Sequence, residues 1–102
     1  MIRNAKGVKT EPHMEMYEAL LTLKTIDECV RFLDDLCSIA ELRAIEQRFQ
    51  VARMLSSGHI YSTIQKETGA SSATISRVNR SLHHGAGSYD VVFKRLDEKD
   101  SG

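Results

Sequence analysis

Ile60-Tyr61-Ser62-Thr63-Ile64-Gln65-Lys66-Glu67-Thr68-Gly69-Ala70-Ser71-Ser72-Ala73-Thr74-Ile75-Ser76-Arg77-Val78-Asn79-Arg80-Ser81-Leu82 reads as two helices broken by one glycine. Gly69 supplies the reversal, since glycine reaches positive φ without steric cost. Ser71 or Ser72 can cap the second helix by accepting from free N–H groups at its start. Ile64 on one side, with Ile75 and Val78 on the other, makes a small apolar junction that fixes the angle between the helices. The outward face of the second helix then carries Ser72, Ala73, Ser76, Arg77 and Arg80. Short side chains near a helix start permit close approach to a major groove, and arginine bonds guanine edges or phosphates. The pattern predicts a helix-turn-helix over about 60–82, with Ser71, Ser72, Ala73, Thr74, Ser76, Arg77 and Arg80 as its DNA-contacting residues. One position runs against it: Gln65, four residues before Gly69, stands where such motifs usually hold a small residue.

Working outward, Leu42, Ile45, Phe49, Ala52 and Leu55 recur at helical spacing and predict a long helix ending near Ser56, with Gly58 as its stop. Ser38 followed by Glu41, and Thr25 followed by Glu28, are capping boxes that open this helix and the one before it. The helix after Thr25 carries Ile26, Cys29, Val30, Phe32, Leu33, Leu36 and Cys37. That stripe is wider than a monomeric surface helix needs, and suits a helix with two partners. Met16, Leu20 and Leu23 mark a first helix from Met14. Beyond the Gly85–Ser88 link, Tyr89, Val92, Phe93 and Leu96 mark a last one. The expected organisation is a flexible arm over 1–12, one helical domain over 13–96 and a flexible tail over 97–102.

At 102 residues the chain has room for one domain. A domain of this size buries a modest share of its surface, which favours a core shared with a second copy. The net charge is zero, but it is unevenly spread. Glu11, Glu15, Glu18, Asp27, Glu28, Asp34 and Asp35 outnumber Lys24 and Arg31 before Ser38. From Ser38 to Leu96 the balance reverses, with Arg43, Arg48, Arg53, Lys66, Arg77, Arg80, Lys94 and Arg95 against Glu41, Glu46, Glu67 and Asp90. An acidic part facing away from phosphates and a basic part facing them fits this asymmetry, as do ordinary solvated faces. No apolar run reaches the roughly 20 residues of a membrane span. The first ten residues lack the apolar stretch of a signal peptide, so the chain reads as cytoplasmic and without a membrane partner.

Cys29 and Cys37 lie eight residues apart on helical sequence, about 12 Å at a rise of 1.5 Å per residue, too far for a disulfide within that helix. Reduced, buried thiols are expected. His83 and His84 point apart on a helix and, with His59, have no zinc-like spacing, so no metal site is expected. Ser, His and Asp occur without a nucleophile motif or a phosphate-binding glycine loop, and no enzyme activity is expected.

Three strings, Cys37-Ser38-Ile39-Ala40-Glu41-Leu42-Arg43-Ala44-Ile45, Ala52-Arg53-Met54-Leu55 and Thr68-Gly69-Ala70-Ser71-Ser72-Ala73-Thr74-Ile75-Ser76-Arg77-Val78, resemble the Trp repressor superfamily, and its YerC/YecD branch most. The resemblance runs from about Met14 to Leu96. It implies an all-α, intertwined homodimer that binds double-stranded DNA through the helix-turn-helix. It also implies a ligand pocket, with Arg48, Arg77 and Ser81 at positions that hold tryptophan in the repressor and Ser38 at a threonine lining it. Two arginines can clamp a carboxylate. Val78 departs from the pattern, replacing a glycine that lies close to the indole and adding two methyl groups where the ring would sit. The expectation is therefore no required cofactor, with a small anionic corepressor left open and tryptophan disfavoured. The function expected is a sequence-specific transcription regulator, a repressor in the first instance, and the alternative is a protein-interaction module on the same fold without DNA binding.

Overall fold

The computed structural model describes residues 11–101, which form six helices and no strand. The first ten residues of the arm placed at 1–12 lie outside them. The helices are α1 (Met14–Leu21), α2 (Ile26–Leu36), α3 (Ile39–Ser56), α4 (Tyr61–Thr68), α5 (Ser72–His84) and α6 (Ser88–Ser101). None is long and apolar enough to cross a membrane.

Local chemistry sets most of the boundaries. Thr25 caps α2 by accepting from the Glu28 N–H at 3.1 Å, and Glu28 reaches back to the Lys24 N–H at 2.7 Å. The carboxylate thus bonds one residue ahead of the cap rather than the cap itself. Ser38 and Glu41 form the full reciprocal box at the start of α3: the Glu41 N–H donates to the Ser38 Oγ and the Ser38 N–H donates to the Glu41 carboxylate. These two bonds satisfy donors that the first helical turn would otherwise leave free. α6 continues to Ser101, five residues past Leu96, so the tail placed at 97–102 is helical as far as 101. Arg53 holds that extension through an ion pair with Asp97. Its guanidinium also lies 4.8 Å from the centre of the Phe93 ring.

The helices divide between two compact units, one reaching to Ile45 and the other beginning at Glu46. In the first, neither α1 nor α2 contains a buried residue. Leu21 is 87% exposed, Ile26 79% and Ile39 77%. Cys29 is exposed and Cys37 half-buried, both as free thiols. The expectation of two buried thiols therefore fails for Cys29, which lies with Ile26, Val30 and Leu36 on the exposed part of the α2 stripe, while Phe32 and Leu33 are half-buried.

The second unit encloses a dry core of Val51, Ala52, Ile64, Ala70, Ile75, Val78 and Phe93, with Met54, Leu55, Leu82 and Tyr89 packed around it. Val51, Ile64 and Ile75 have no exposed surface. Removing side chains of this size from water contributes about 1.5–3 kcal/mol each. Along α3, Leu42, Val51 and Ala52 are buried, whereas Ile45 and Phe49 of the expected stripe remain exposed. Phe49 meets Phe93 edge-on, with ring centres 5.7 Å apart. The reversal after α5 depends on Gly85, where a Cβ would lie 2.4 Å from the Ser81 carbonyl oxygen.

Candidate nucleic-acid interface

Between α4 and α5 the chain turns on Gly69, at φ 73° and ψ 5°, and its N–H donates to the Gln65 carbonyl at 2.9 Å. A left-handed residue directly after the last helical turn is a common way to end a helix. Thr68 braces the turn from both sides. Its hydroxyl donates to the Ile64 carbonyl at 2.7 Å and accepts from the Ala70 N–H at 3.1 Å. The Gln47 side-chain amide of α3 donates to the Thr68 carbonyl at 3.1 Å. The turn is thereby tied to the long helix as well as to its own flanks. Neither Thr68 nor Gln47 is singled out by the sequence pattern, since a side chain bonding a backbone 21 residues away has no periodic signal. Gln65 is exposed. The close packing is made by Ile64 and Ala70, and the bulk of Gln65 does not enter it.

Ser71 is the cap of α5. Its Oγ accepts from the Thr74 N–H and donates to the Thr74 Oγ1, both at 3.1 Å. Ile75 and Val78 are buried, and Leu82 packs against the same cluster. With that face fixed inward, helical periodicity turns Ser72, Ala73, Ser76, Arg77 and Arg80 outward, and all five are exposed. Thr74 is half-buried, its hydroxyl engaged with the cap. Arg77 and Arg80 lie one turn apart and make no ion pair or hydrogen bond among the described residues. α5 contains no acidic residue and ends on His83 and His84. The arrangement is a rigid helix with an apolar back, a cationic front and short side chains at its start.

The residues assigned to a ligand pocket are distributed differently. Ser38 belongs to the first unit, where it caps α3. In the second unit Arg48 is exposed on α3, one turn before buried Val51 and Ala52. Arg77 is exposed, Ser81 half-buried, and Val78 is 3% exposed within the core. The two arginines are accessible to an anion, while Val78 occupies interior space.

Among the described residues, the Glu41 carboxyl departs clearly from its ordinary value. The Ser38 backbone N–H chiefly, and the Ser38 hydroxyl second, hold it below 4.5. No group of three or more His, Cys, Asp or Glu among the described residues could hold a metal ion. The His83 and His84 rings stand 6.4 Å apart, centre to centre.

Comparison with known proteins bears on the same stretch. The model of the Trp repressor protein family matches residues 12–97. YerC, an uncharacterised protein of Bacillus subtilis strain 168, is 46% identical over 87 residues, covering 85% of this chain and 84% of YerC. The crystal structure of a TrpR-like protein from Eubacterium eligens superimposes with a TM-score of 0.80 at 49% identity, covering 82% of this chain and 87% of that one. A candidate Trp repressor from Staphylococcus aureus gives the same TM-score at 46% identity, covering 82% and 84%. A match through both units and the α4–α5 turn, at this identity, makes the chain a member of the Trp repressor family.

Proposed function

We propose that this protein is a transcription regulator, not an enzyme, that binds double-stranded DNA in the cytoplasm as a homodimer. α4, the Gly69 turn and α5 act as the helix-turn-helix. The observation that carries this reading is the outward face of α5, where Arg77 and Arg80 stand exposed beside Ser72, Ala73 and Ser76 and unpaired among the described residues. Ser71 and Ser72 are suited to a phosphate at the helix start, where free N–H groups attract anions. Thr74 supports them through the cap and is a weaker candidate for direct contact. The exposed apolar residues of α1 and α2 support the second copy, which would cover them. Two such subunits present two recognition helices to major grooves about one helical turn, roughly 34 Å, apart.

The test is selection from random genomic duplex fragments at near-physiological salt, followed by sequencing of what is retained. Enrichment of a palindrome with half-sites about one turn apart is the expected result. A protein that passes through DNA resin without salt-dependent retention is an interaction module instead. Arg77→Ala and Arg80→Ala then sort base contacts from phosphate contacts. Loss of about 1–3 kcal/mol confined to certain sequences marks a base contact. A uniform loss with the salt slope reduced by about one marks a phosphate contact.

A further inference from the structure

The family is named for the Trp repressor, whose ligand is tryptophan, so the fit of that amino acid to this chain can be tested on the residues behind α5. Its carboxylate suits the residues present: Arg48 and Arg77 are exposed and unpaired among the described residues. Its ring does not. Val78 is 3% exposed and shares one apolar cluster with Val51 and Ala52 of α3, Ile64 of α4, Ala70 of the turn, Ile75 of α5 and Phe93 of α6. Among the described residues no polar or charged residue is buried, and no buried side-chain nitrogen or oxygen lacks a partner. The seat of α5 is therefore closed by the chain's own methyl groups. A side chain packed at interior density cannot share its space with an indole.

We propose that Val78 is the positioning residue of α5, an internal plug that holds the recognition helix ready, so that this protein binds its operator without tryptophan. The proposal rests on the DNA-binding reading above. Its physical basis is preorganisation. When only a fraction of molecules hold the helix correctly, the apparent dissociation constant rises by the inverse of that fraction. An apolar contact made on folding keeps the fraction near one, and no ligand bound afterwards can raise it.

The experiment measures operator affinity, on the selected duplex, of the full chain with and without tryptophan at about 1 mM, a concentration that saturates any ligand binding in the micromolar range. The parent is expected to change by less than about twofold. Val78→Gly, at a temperature where circular dichroism shows it fully folded, is expected to bind roughly tenfold or more weakly, because the competent fraction falls. Its salt slope stays that of the parent, since no phosphate contact is lost, and this separates positioning from contact. Operator binding that appears only with tryptophan overturns the proposal and leaves the DNA-binding reading standing. Absence of binding in both conditions overturns both. A folded Val78→Gly with parental affinity overturns the role of Val78.

Discussion

α2 has six apolar side chains among its 11 residues, Ile26, Cys29, Val30, Phe32, Leu33 and Leu36, and buries none of them. α5 has four among 13, Ala73, Ile75, Val78 and Leu82, and buries two. The helix richer in apolar surface is the one that a single chain leaves wet. Apolar content therefore does not decide burial here; what decides it is whether partners lie within the same chain. α5 finds Val51, Ile64 and Phe93 in its own unit. α2 needs cover from outside, and a second copy is the partner proposed for it.

Matched substitutions sharpen this contrast most. Ile75→Ala is expected to lower unfolding stability by about 2–5 kcal/mol, since it empties a closed core site. Ile26→Ala, in dilute protein where copies are apart, is expected to change it by less than about 0.5 kcal/mol, as for a surface position. At concentrations that favour a dimer its cost should rise, and denaturation at two protein concentrations measures the difference. An Ile26 effect independent of concentration would break the claim that α2 is covered by another copy.

A smaller effect separates the helix ends. α4 ends on left-handed Gly69, where a Cβ would meet nothing within 4 Å. Gly69→Ala then carries a pure backbone cost of about 1–2 kcal/mol, read as a lower denaturation midpoint. α1 ends on right-handed Thr22, φ −82°, whose hydroxyl bonds the Ala19 carbonyl in solvent. Thr22→Ala should cost less than about 0.5 kcal/mol.

The smallest effect is electrostatic and belongs to the first unit. The folded-state pKa of Glu41 lies below its ordinary 4.5 because Ser38 donates to the carboxylate. A depressed carboxyl stabilises the fold above its unfolded pKa and loses that contribution as pH falls through the folded value. Thermal midpoints of Glu41→Gln and the parent should therefore differ slightly at neutral pH and converge in acid. A gap that widens in acid contradicts the sign.

Much of this architecture is visible in the residues because its signals are local. Thr25 and Ser38 announce helix starts through a glutamate three residues on, Ser71 and Ser72 together mark the start of α5, and Gly69 announces a reversal by itself. The outward face of α5 follows from fixing Ile75 and Val78 inward. Less is legible where the cause is remote. Leu42 and Ala52 of the α3 stripe are buried as its periodicity suggests, yet Ile45 and Phe49 of the same stripe are exposed, and Val51, which lies off it, is fully buried. Periodicity reports a repeat and says nothing of which stripe meets a neighbour. The Gln47–Thr68 tether and the Arg53–Asp97 pair span 21 and 44 residues, distances over which composition has no period to reveal. The helical stretch 97–101 has no local signal of the same kind, since the Asp97 partner Arg53 lies on α3.

Gly85 carries one further consequence, for what substitutions the chain can accept. The obstacle to a side chain there is the backbone carbonyl of Ser81, an atom that no rotamer change can move aside. Saturating position 85 with all other residues should return no tolerated replacement that keeps α5 at its present length, while exposed Ala86 beside it accepts many. The end of α5 is thus written into a single codon.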